Sequence, residues 1–169
     1  MILQPALPIY FVDTLQLSYT EMAVALTLCK GIGFTCGSPF WSRLINQMDI
    51  FRFSSCITAL ACLFPLVLIL TQYQLTWLYI GYLLYGFMQS GNELSWNMSG
   101  PIFAKDQNST IYSTINTMAI GIRGAFVPAL GGVFITLWGS SSVMVLGGAL
   151  CLAATLQLAY ICQEMFKFL

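Results

Sequence analysis

Lys30, Glu93 and Arg123 each stand inside a long apolar stretch with no other charge at its centre. A charge at the middle of a bilayer costs roughly 2.5–3.5 kcal/mol on insertion scales, so it persists only where it meets a partner or water. The planar fork of Arg123 suits a carboxylate or a phosphate. Lys30, in mid-span, is suited to carrying a proton or holding an anion. Glu93 can pair with one of the two cations or bind protons itself. The three charges sum to +1. If Glu93 pairs with one cation, the other remains for an anionic group. If Glu93 binds protons, solute movement can couple to a proton gradient. A permanent salt bridge from Glu93 to Arg123 or to Lys30 is the structural alternative. Three such charges in so short a chain imply a polar pathway through a membrane bundle.

The elements that must hold these residues are helices. Tyr82, Tyr85, Gln89, Glu93 and Trp96 or Asn97 recur at steps of three or four. At 3.6 residues per turn they share one face, a candidate solute wall. Structural hydrogen bonds from Tyr and Gln to neighbouring helices are the plainer explanation of the same stripe. Asn116 and Arg123 lie seven residues apart, two turns along one face, with Gly121 and Gly124 flanking the arginine. Pro128 follows, with Gly131 and Gly132 beyond it. A proline removes a backbone donor and kinks its helix. Gly124, Pro128 and Gly131 therefore form a candidate hinge, or a fixed kink that only shapes packing.

Composition sets the class. The chain has 169 residues, of which 58% are hydrophobic and 7% charged. Soluble domains carry about 25% charged residues, so this chain cannot cover a water-facing surface. The expected fold is an all-α membrane protein, a polytopic helix bundle forming a single transmembrane domain over residues 1–169. Full spans are expected at 20–41, 54–71, 76–99, 111–138 and 142–161. Residues 1–12 read as the last part of a first span, too short to cross a core about 30 Å thick. Short connections make successive helices antiparallel neighbours. Thr58 is nearly the only polar residue of the third span, and Thr155 and Gln157 those of the sixth. These two spans are expected to face lipid, and the charged second, fourth and fifth spans to face a cavity.

Arg43, Arg52, Lys105 and Lys167 fall in segments on the same side of the expected topology. That excess marks the cytoplasmic face, which puts the C-terminus in the cytoplasm of a multi-pass cell or inner-membrane protein. There is no histidine, and the six cysteines form no CxxC pair. No metal site, cofactor or disulfide framework is expected. The residues around Met1 have no basic leader region and are interrupted by Pro5 and Pro8, unlike a signal peptide. A net charge of zero gives no case for nucleic acid. The spans hold no catalytic motif, so the chain is not read as an enzyme.

Several segments together resemble one six-helix half of a major facilitator superfamily transporter. Leu7, Pro8, Ile9 and Tyr10 look like the outer end of a first helix, and Leu17 to Glu21 like the entry to a second. Gly37, Pro39, Trp41 and Arg43 resemble the family's Gly-Ser-Pro-x-Trp-Gly-Arg-Leu approach to its cytoplasmic loop. That loop usually continues Ala-Asp-Arg-x-Gly-Arg. Here Asn46, Asp49 and Arg52 stand in a run that replaces the motif's Asp, Arg and Gly. The segment from Gly121 through Pro128 to Gly132 looks like the family's eleventh helix. It departs from the antiporter motif, since Val127 rather than glycine precedes Pro128. The resemblance implies the C-terminal half, apparently truncated at its first helix. It also implies alternating access for a small polar or anionic solute. Lys30, Glu93 and Arg123 would be the binding charges, with Tyr82, Tyr85, Gln89, Asn97 and Asn116 lining the cavity. The implied partners are the bilayer, the solute with or without protons, and a second half or a homodimer partner. The alternative is an inactive remnant or an assembly subunit of a split transporter.

Overall fold

The computed structural model describes residues 6–104 and 109–167; the expectations placed on residues 1–5 and on Lys105 lie outside them. Among the described residues the chain is helical between short turns and forms no strand. Helix α1 (Ala6–Ile9) runs on into a wide π turn, Tyr10–Thr14. Helix α2 (Tyr19–Val24), a second π turn (Ala25–Cys29) and α3 (Lys30–Ile45) make one rod. Then come α4 (Ile50–Leu70), α5 (Thr76–Ala104), α6 (Ser109–Trp138) and α7 (Ser140–Lys167).

Local chemistry fixes the ends. Ser18 and Glu21 close a capping box at the start of α2: the Glu21 amide donates to Ser18 Oγ at 3.3 Å, and the Ser18 amide donates to Glu21 Oε2 at 2.9 Å. Two otherwise orphaned donors are thereby satisfied. Helix α6 stops at Gly139, whose φ of +79° is the left-handed geometry a glycine adopts without strain. Its amide returns to the Ile135 carbonyl at 2.8 Å before α7 begins.

Among the described residues, four segments are long and apolar enough to cross a membrane: Tyr19–Ile45, Ile50–Leu70, Thr110–Trp138 and Ser142–Tyr160. Helix α5 has the length, at 29 residues, but not the hydropathy, because Gln89, Asn92, Glu93 and Asn97 interrupt it. Its position resolves the conflict. It packs against α3, α4 and α6, which leaves Gln89 and Asn92 half-buried and Glu93 and Asn97 exposed on one side. The chain is an all-α membrane bundle built around its most polar helix.

Apolar clusters lie toward both ends of the bundle. At one, Tyr10, Phe11, Met22, Phe64, Leu68, Tyr82 and Met144 pack together. At the other, Trp41, Phe53 and Ile57 form a smaller core with Phe87 and Leu94 against it. Of the four apolar spans, α4 is the most buried, 33% of its window against 11% for α6. It is sandwiched between α5 and α7. Low polarity in the third span therefore reflects packing against neighbouring helices as well as contact with lipid.

The α3–α5 seam is the tightest. A Cβ on Gly33 would collide with the Leu83 carbonyl, and one on Gly86 with the Lys30 carbonyl. Small residues at such positions let helix backbones touch in a membrane. Gly86→Ala is expected to lower unfolding stability in detergent by about 2 kcal/mol or more, since the neighbour is backbone and cannot yield. Gly31→Ala, where an added Cβ meets nothing within 4 Å, is expected to be neutral or slightly stabilising in the same thermal-unfolding assay.

Candidate functional site

Helix α5 carries the site. The Lys30 ammonium sits 5.4 Å from the centre of the Tyr85 ring. The lysine's own backbone carbonyl meets Gly86, the residue that follows Tyr85 on α5, at close approach. The Arg123 guanidinium lies 4.8 Å from the Trp96 ring. A cation over a ring face is worth about 0.5–1 kcal/mol when exposed and about 2 when desolvated. Tyr85 and Trp96 are eleven residues apart, close to three whole turns, so they share a face about 16 Å apart along the axis.

Between them lies Gln89, whose Oε1 is buried without a hydrogen-bond partner. Glu93 and Asn97 are exposed, one step round the helix. Among the described residues, Glu93 forms no ion pair with Lys30 or Arg123. Each cation is instead matched to an aromatic quadrupole, and the carboxylate is left open.

Asn116 is committed to structure. Its amide donates to the Trp96 carbonyl and to Ser99 Oγ, both at 3.1 Å, which ties α6 to α5. Trp96 in turn donates from Nε1 to Asn92 Oδ1 at 3.1 Å, which sets the ring on which Arg123 rests. Tyr82 is placed in the core, 2% exposed, edge-on to Phe64 with ring centres 5.8 Å apart. Tyr85 is half-buried beside it.

The turn after α3 is organised by a residue whose role the sequence left unread. Trp41 is 1% exposed, donates from Nε1 to the Phe87 carbonyl at 2.7 Å and packs its ring on Gly91. Gly37 lies buried against Phe87 and Ser90. The spacing of Gly33 and Gly37, four apart on one face, was the available signal. Pro39 and Arg43 are exposed along the rest of α3. Asn46 turns its amide back to the Ser42 carbonyl at 3.1 Å. Asp49 stands at the head of α4 with extended backbone but makes no side-chain cap. Arg52 is exposed in the first turn of α4. Helix α6 runs unbroken through Pro128, with Gly124 open and Gly131 buried.

A cleft of about 600 Å³ opens between α4, α5 and α6, with Leu158 contributed by α7. Of the residues of the α5 stripe and the α6 pair singled out in the sequence, Trp96, Asn116 and Arg123 line it. Ser54, Asn92, Ser95 and Ser99 also line it and were not singled out. Positions 92, 95 and 99 recur at helical spacing, a signal that the larger side chains of the stripe obscured.

The family model described as Major Facilitator Superfamily matches residues 1–164. No curated protein and no solved structure matches the chain.

A double-mutant cycle distinguishes the two possible partners of Arg123. Unfolding of Arg123→Gln, Trp96→Leu and the double variant is expected to give a coupling of about 0.5–2 kcal/mol. The corresponding cycle of Arg123→Gln with Glu93→Gln is expected to stay within about 0.5 kcal/mol of additive.

Proposed function

The chain belongs to the Major Facilitator Superfamily, whose members are secondary transporters, and on that premise we propose that it moves a small polar or anionic solute by alternating access. The observation that carries this reading is the placement of two cations on aromatic rings with no carboxylate paired to either. A cation–π contact satisfies part of a guanidinium's or ammonium's electrostatic demand but consumes none of its N–H donors. Both groups keep their donors for an anion arriving along the α5 face. Tyr85, Gln89 and Asn97 are the neutral groups on that helix suited to orient the rest of the solute. Tyr82 and Asn116 act one layer back, holding Tyr85 and Trp96 in place.

Glu93 supplies the coupling. With the carboxylate ionised the three charges sum to +1, and with it protonated they sum to +2. An anion therefore binds more tightly to the protonated site, and by linkage a bound anion favours protonation of Glu93. Solute and proton travel together in this scheme. Alternating access rocks this bundle against a second half or a second copy, with the Gly124, Pro128 and Gly131 stretch of α6 as the bend. The excess of arginine at the end carrying Arg43 and Arg52 supports a cytoplasmic location for that end.

In reconstituted vesicles, Glu93→Gln is expected to retain binding but lose the pH dependence of uptake. Unchanged pH dependence would remove Glu93 from the coupling step. Arg123→Lys is expected to lower the uptake specificity constant by roughly tenfold or more, because a point charge cannot replace the fork. Its membrane insertion should stay at the wild-type level. A parallel fall in insertion and uptake would assign Arg123 to structure.

A further inference from the structure

The cleft between α4, α5 and α6 has a lining that the transport scheme does not account for. It lies between helices of this one chain, and α4 and α6 are both apolar membrane spans. Most of its neutral polar side chains are already engaged. Ser54 and Ser95 share a hydroxyl contact at 3.0 Å. Thr58 and Ser99 donate to backbone carbonyls at 2.8 Å. Asn116 and Asn92 are engaged with the Trp96 backbone and ring nitrogen. Most of the remaining lining is hydrocarbon, with Ile57, Ile115, Ala119 and Leu158 among it.

Among the described residues, Arg123 is the only charged one that lines the cleft. Among the described residues it has no carboxylate partner, only the Trp96 ring. An uncompensated guanidinium at bilayer depth calls for an anion. A volume near 600 Å³ is in the range that holds a ligand of drug-like size. One cation, no acid, spent hydroxyls and an apolar majority are poorly matched to a polyhydroxylated solute. They match a molecule with a single anionic head and a hydrocarbon body.

We propose that this cleft binds an anionic amphiphile, its carboxylate or phosphate on Arg123 and its hydrocarbon against Ile57, Ile115 and Leu158. The site rests on the reading of Arg123 as an anion site and adds the class of molecule that occupies it. Both flanking helices are apolar, so the ligand reaches the cleft from the bilayer. The headgroup chemistry is common to a membrane phospholipid and to a free fatty acid.

The test uses the full chain in nanodiscs of zwitterionic phosphatidylcholine, with a photoactivatable sixteen-carbon fatty acid as probe. Labelling is expected on α4, α6 or α7 at the cleft. It should weaken by roughly tenfold or more in Arg123→Gln, the scale of a lost charge-assisted bond. It should also fall in Ile115→Trp and in Leu158→Trp, which fill the apolar part from two different helices. Each variant is checked for a wild-type elution profile, so a folding failure in one leaves the other as the test. Nanodiscs containing phosphatidylglycerol should suppress labelling if the natural occupant is a phospholipid, and leave it intact if it is a free acid. Absence of cleft labelling in the wild-type chain would overturn the site. Competition by butyrate equal to that by the long-chain acid would overturn the amphiphile while leaving the anion reading in place. Labelling that is indifferent to Arg123→Gln would overturn both.

Discussion

The bundle is governed by where it can put α5. A helix bearing Gln89, Asn92, Glu93 and Asn97 cannot present all of its circumference to acyl chains, since each exposed polar group in hydrocarbon costs kilocalories. It has therefore to be surrounded, and its neighbours must come close enough to exclude lipid. The glycines make this possible. Gly33 and Gly86 bring the α3 and α5 backbones into contact, and Gly37 and Gly91 admit Phe87 and the Trp41 ring. From this approach follow the pinned backbone of Lys30, the hydrogen bond from Trp41 across the seam, and the small core at that end of the molecule. Bulk at the seam would push α5 outward and expose its polar stripe. Packing and solvation thus act as one constraint.

The same approach explains why the cations rest on rings. Lys30 enters the α5 face beside Gly86, and the nearest group able to receive a positive charge is the adjacent Tyr85. Arg123 comes from α6 at a level fixed by Asn116, which holds the Trp96 carbonyl. Glu93 lies three residues before Trp96 on the same broad face of α5. Among the described residues it nonetheless forms no ion pair with either cation. A salt bridge in low dielectric would be strong and hard to reopen, whereas a cation on a ring is held by one or two kilocalories and can exchange its partner. An arrangement of that strength is compatible with a binding cycle.

The helical membrane class was legible because it depends on long apolar runs and on a charge content too low for a water-facing surface. The start of α2 was also legible, since Ser18 and Glu21 are three apart in front of an apolar run. What stayed hidden depends on partners distant in sequence. The stripe from Tyr82 to Asn97 is real as a periodicity, yet periodicity cannot say what lies opposite. Tyr82 meets Phe11 and Phe64 and is core, whereas Tyr85, less than one turn on, meets Lys30. Ser54 and Ser95 are unremarkable in sequence and gain meaning only because α4 and α5 bring them together. Low polarity in α4 suggested lipid contact. A helix wedged between two others needs apolar residues for the same reason a lipid-facing one does.

The π turn at Ala25–Cys29 keeps the buried line of its rod in phase. Among the buried positions on this rod are Ala25, Gly33 and Gly37, with Cys29 half-buried between them. Steps of four advance an ideal helix by about 40° each, so from 25 to 37 the buried line would wander by about 120°. A single partner helix could not follow it. The turn carries one additional residue, and its closing bond runs from the Lys30 amide back to the Ala25 carbonyl, five residues earlier. That extra residue takes back about 100° of rotation and leaves about 20° across the whole line. One rod can then set Ala25 into the aromatic cluster near its capped end and Gly33 and Gly37 against α5 further along, without twisting away between them. Lys30 begins the regular helix directly after this correction. Its position at the edge of the seam, within reach of Tyr85, is a consequence of the wide turn as much as of the glycines.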